Sequence, residues 1–170
     1  MKHLFLSGVL AMAAPILFGQ KPQLIPPMSH AAHVRAMAIS PDGKHMVTCA
    51  GYLDNTVLLW DVNDGAILKI MDGHFSDILD AEYAPDGKHI LTLEANTGDL
   101  ILWDNMGNNV LDILPGEPEI DIPDCIQNVC FSHDGKAFLA GNCSGELAFF
   151  NLKGKRTRSF AGGQASIMEV

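Results

Sequence analysis

The chain has 170 residues, 48% of them apolar and 18% charged, which allows a packed core and excludes a disordered tail. Its formal net charge of −9 repels phosphate backbones, so no nucleic-acid partner is expected.

Residues 1–20 read as an export signal peptide. Lys2 and His3 precede an apolar run from Leu4 to Phe18, and Gly19 and Gln20 offer a cut. The run is shorter than the roughly 20 residues of a membrane helix and is broken by Pro15. No stable membrane anchor is therefore expected after signal removal, and the mature chain is placed in the periplasm or outside the cell. Residues 21–29 carry Pro22, Pro26 and Pro27, which permit a linker and an extended edge strand but no helix or central strand.

From there the chain repeats. "SHAAHVRAMAISPDGKH" aligns with "GHFSDILDAEYAPDGKH", placing His74 44 residues after His30, and Trp103 follows Trp60 by 43. A weaker third copy is "CIQNVCFSHDGKAFLAGNCSGELAFFN", after a loop at 114–124 rich in Pro and Asp. A period of this length signals a repeat architecture. The units are 30–73, 74–119 and 120–161, the last degenerate, and 162–170 reads as the start of a fourth. In each, short apolar strands flank turn sequences such as P-D-G, where Pro presets φ and Gly supplies positive φ. Four strands per unit are expected, apolar on both faces, as in small sheets stacked face to face. The fold class is all-β, with no helix past residue 20.

The cysteines are Cys49, Cys125, Cys130 and Cys143, with no C-x-x-C pair, so no structural zinc is signalled. If Ser132 lies opposite Lys136 across its turn, Cys125 falls opposite Cys143, close to disulfide range. An oxidising compartment makes that bond a candidate.

"GH" before the first strand, "SPDGK" in the first hairpin and "LWD" closing the third strand resemble the WD-repeat β-propeller family, over residues 22–170. TolB-like propellers share "SPDGK" but lack the paired His and the Trp-Asp. The resemblance implies a propeller of four-stranded antiparallel blades, about three of them here. A closed ring needs roughly 4 to 8, so the ring is expected to be incomplete: the chain is read as a fragment, with closure of the ring by association as the alternative, and its apolar end faces are expected to be prone to self-association. The resemblance also implies a hydrogen-bond network in each blade. Its members would be His30, Thr48, Asp54 and Trp60 in the first repeat, and His74, Thr92 and Trp103 in the second. There Thr97 or Asn96 stands at the Asp position, so that network is expected to be partly lost. In the third, Ile122 or Asp121 replaces His, Ser144 replaces Asp and Phe150 replaces Trp, leaving packing alone. These are structural roles, not catalytic ones.

No G-x-S-x-G, Walker loop or G-x-G-x-x-G is present. His45 and His89 hold equivalent repeat positions, which accounts for them better than metal ligation. "DVNDG" at Asp61 lacks the ligand set of a calcium loop and reads as a turn. The basic run Lys153–Arg158 reads as a solvated turn and strand edge. No catalytic residue, metal or cofactor is expected. The function read here is a non-enzymatic scaffold for a protein or peptide partner, with His33, Tyr52, Leu53 and Asn55 as candidate binding-loop residues. The alternative is a sensing module of a larger exported enzyme such as a caspase-like peptidase.

Overall fold

The computed structural model describes residues 29–51, 54–114 and 125–160. Among them every regular element is a strand. The first sheet holds β1 (Val34–Ile39), β2 (His45–Ala50), β3 (Val57–Asp61) and β4 (Ile67–Met71). The second holds β5 (Ile78–Tyr83), β6 (His89–Glu94), β7 (Leu100–Asp104) and β8 (Asn109–Ile113). The third holds β9 (Ile126–Phe131), β10 (Ala137–Asn142), β11 (Leu147–Asn151) and β12 (Arg156–Phe160). Each is a four-stranded antiparallel meander in sequence order.

The turn chemistry explains the meander. In the β1–β2 hairpin the Asp42 carboxylate accepts the Ser40 hydroxyl (2.7 Å) and the Lys44 amide, and Gly43 takes φ 71°. Ser132, Asp134 and Lys136 repeat this in the third sheet. Between β3 and β4, Asp61 accepts the Asn63 amide (2.7 Å); Asp104 and Asn151 do the same after β7 and β11. The Asp after each Trp is thus a turn cap.

Each face of the middle sheet packs an apolar cluster against a neighbouring blade. One apolar cluster joins Val47, Leu59 and Met71 to Ile90, Ile101 and Trp103. The other joins Leu91, Leu102 and Ile113 to Val129, Phe138 and Phe150. At roughly 1.5–3 kcal/mol per large buried side chain, these two interfaces are the main source of cohesion. They also explain strands that are apolar on both faces. Inner strands β1, β5 and β9 follow one another around a common axis, so the sheets are propeller blades. Those three blades do not close a ring among the described residues.

One expected register is corrected. Ser132 pairs with Ala137, not Lys136, through its amide to the Ala137 carbonyl (2.8 Å). The ladder runs one residue off the expected register as far as Asn128 opposite Gly141, and a bulge before Asn142 then restores it. Cys125 therefore meets Cys143 beyond the bulge, and the two are disulfide-bonded with Cα atoms 5.6 Å apart.

Candidate functional site

The polar residues that the sequence brings forward gather at one rim of the first two blades. In the first, the Trp60 indole N–H donates to Thr48 Oγ1 (2.7 Å), which also bonds His30 Nε2 at 2.7 Å. Thr56 gives its one hydroxyl proton to Asp54 Oδ1 (2.6 Å) and lies 3.1 Å from His30 Nδ1. Thr56 must then accept from Nδ1–H, while Nε2 contacts both the Thr48 hydroxyl and the Thr48 carbonyl oxygen, the latter at 3.1 Å. Asp54 also takes the Ala31 amide at 2.5 Å, pinning the chain just ahead of β1. Burial would raise the Asp54 carboxyl, but the hydrogen bonds from Thr56 and Ala31 outweigh it and hold it below its ordinary value.

The second blade corrects the expectation of a partly lost network. Trp103 donates to Thr92 Oγ1 (2.9 Å), and Thr92 lies 2.6 Å from His74 Nε2. The carboxylate comes from Glu94, the last residue of β6, not from Thr97 or Asn96. Glu94 Oε2 accepts the Phe75 amide at 2.8 Å and faces His74 Nδ1 at 3.4 Å; Oε1 accepts the Ser76 and Thr97 hydroxyls, each at 3.0 Å. The extra methylene of Glu reaches from the strand what Asp54 reaches from the turn. Thr97 is thus a donor to the carboxylate. Burial keeps His74 below its ordinary value, opposed by Glu94, so the ring is neutral at pH 7. Burial also pushes Glu94 upward, but hydrogen bonds from Phe75, Ser76 and Thr97 outweigh it and keep the carboxylate ionised.

The third blade has neither His nor Thr at these positions among the described residues. Ala140 fills the Thr position, and Phe150 stacks on Phe138 with centroids 5.1 Å apart. The Ser144 amide donates to Asn142 Oδ1 (3.1 Å), which closes a turn. Ile122 and Asp121 lie outside the described residues. The disulfide ties the start of β9 to the end of β10 here, where the backbone bond from Cys143 to Cys125 (3.0 Å) also forms.

Of the candidate binding-loop residues, His33 is exposed and its carbonyl accepts the Gly51 amide (3.3 Å), and Asn55 is half-buried in the β2–β3 turn. Tyr52 and Leu53 lie outside the described residues. Phe75, which sequence reasoning did not select, is the most exposed of the exposed large apolar residues, at 87%. Its signal was its place directly after the network His. Among the described residues, no three His, Cys, Asp or Glu side chains are grouped to hold a metal. Lys153–Lys155 form a turn and Arg156 and Arg158 lie on β12, with Arg156 paired to Glu146.

Residues 24–61 match the family model described as WD domain, G-beta repeat. Among curated proteins, a guanine nucleotide-binding protein subunit beta from Zea mays is 26% identical over 123 residues, 71% of this chain and 32% of that protein. The chain thus spans about a third of that relative's length. Among solved structures, the RRP9 WD40 repeats superpose with a TM-score of 0.69 at 16% identity, covering 81% of this chain and 41% of that one. U3-55K gives 0.70 at 16% identity, covering 81% and 42%. These likenesses show the fold, that of a WD40 propeller.

Proposed function

We propose that the chain is the blade-bearing part of an exported WD-repeat scaffold that binds a protein or peptide and performs no chemistry of its own. The observation that carries this is Phe75: an aromatic side chain 87% exposed on a backbone whose amide is fixed by the buried Glu94 carboxylate. Exposed aromatics on preorganised backbone make good binding anchors, because little freedom is lost on contact. The buried His and carboxylate groups of both networks spend their hydrogen bonds holding loops. Export rests on the apolar run after Lys2, and the exclusion of nucleic acid on the net charge.

A photo-crosslinking residue at position 75, introduced into the chain as it is made in the cell, tests both parts. A discrete protein adduct in the exported fraction is expected from position 75 and not from Val110, which is 53% exposed on β8. Equal labelling from both positions, or retention of the chain in the cytoplasm, would count against the scaffold or the export reading respectively.

A further inference from the structure

At the rim that carries the networks, the second blade holds a cavity of about 280 Å³ with Phe75 at its edge. Three carboxylates line it: Glu94 at the end of β6, Asp99 just ahead of β7 and Asp112 on β8. No Lys or Arg lines it among the described residues. Glu94 spends its oxygens on the loop before β5 and on Thr97. Asp112 Oδ1 accepts the Asn109 side-chain amide at 2.7 Å. Burial pushes the Asp99 carboxyl above its ordinary value, and the Glu94 and Asp112 charges add to that, with Thr97 and His74 opposing. The cavity thus holds negative charge that the described residues leave unbalanced.

The third blade shows what balances such a site. The Asn142 amide donates to the Glu146 carbonyl as the Glu94 amide donates to the Asp99 carbonyl, so Glu146 holds the Asp99 position. Arg156 pairs with Phe150 as Asn109 pairs with Trp103, so Arg156 holds the Asn109 position. There the Arg156 guanidinium binds the Glu146 carboxylate. The first blade has neither group, with Thr56 and Ile67 at the two positions. The second blade keeps the acid and lacks the arginine.

We infer that an arginine side chain of the protein partner enters this cavity, its guanidinium on Asp99 and Asp112 and its stem beside Phe75, an inference that rests on the scaffold reading above. A planar guanidinium suits two carboxylates, as Arg156 already shows on Glu146. Among the described residues no three acids are grouped to hold a metal, which favours an organic cation. The segment 115–124, which follows Leu114, carries Glu117, Glu119, Asp121 and Asp124 and no Lys or Arg, so it brings no cation of its own.

Titration of the full chain with acetyl-arginine amide, followed through backbone amide chemical shifts, tests this, with acetyl-citrulline amide as the neutral isostere. Saturable shifts at Phe75, Asp99 and Asp112 are expected from the arginine probe and not from the citrulline one. Asp99→Asn should weaken arginine binding about tenfold. Asn109→Arg, which copies the third blade, should fill the cavity and abolish it. Should Asp99→Asn misfold, Asn109→Arg still decides, since Asn109 is exposed. The inference is overturned if arginine gives no saturable shift, if citrulline binds as well, or if either folded variant binds arginine like the parent. A protein adduct from position 75 without arginine binding would leave the scaffold standing and overturn this inference alone.

Discussion

At the scale of single residues, the two intact networks do the same task with different acids. Each holds the backbone amide after the network His, Ala31 in one blade and Phe75 in the other, and each keeps an indole N–H satisfied. Glu94 serves four groups, so its loss strands several buried donors at once. Glu94→Ala is expected to cost about 3 kcal/mol, read as a lower urea midpoint with an unchanged slope. A loss under about 0.5 kcal/mol would show the carboxylate to be dispensable. His74 adds a pH dependence. Its folded value lies below the ordinary 6.5, so the unfolded chain takes up the proton first. Stability attributable to this ring is therefore full above pH 6.5 and falls as pH drops below it, by at most ~1.4 kcal/mol per pH unit. His74→Gln should flatten that part of the stability–pH curve relative to the parent; an unchanged curve would place the titration elsewhere.

At the scale of the element, the third blade shows what the networks are worth by doing without them. Ala140, Phe138 and Phe150 make its middle dry, and the tie between the start of the inner strand and the end of the second strand is covalent. Closing a loop of 18 residues limits the unfolded chain by about 3 kcal/mol. Replacing Cys125 and Cys143 together by Ala should lower stability by that order, and peptide mapping of the parent should find the two residues joined with two hydrogens fewer. Two free thiols in material isolated from an oxidising medium would contradict this. The bond also marks where sequence reasoning runs out. The turn residues of the hairpin were legible, but the bulge before Asn142 was not, because it has no residue signature of its own. Two register errors of one residue cancelled. Glu94 was hidden differently: read along "ILTLE" it is simply the polar end of a strand, and only its proximity to the Phe75 amide reveals its work. By contrast, His30, Thr48 and Trp60 were readable because their spacing repeats in His74, Thr92 and Trp103.

At the scale of the whole molecule, stability comes from blades that cover one another. Leu91 and Ile90 are neighbours on β6 and both are fully buried, one against the third blade and one against the first. The blade count and the apolar strands were visible in the period of the sequence; which residues of adjacent blades touch was not, since that depends on close approaches at glycines with no long-range signature. Those approaches are where stacking is most directly measured. A nuclear Overhauser spectrum of the methyl- and glycine-labelled chain should show cross-peaks from the Gly107 α protons to Met71 and from Gly154 to Leu111. Strand patterns within each sheet accompanied by neither of these two inter-blade peaks would contradict a stack of mutually shielding blades.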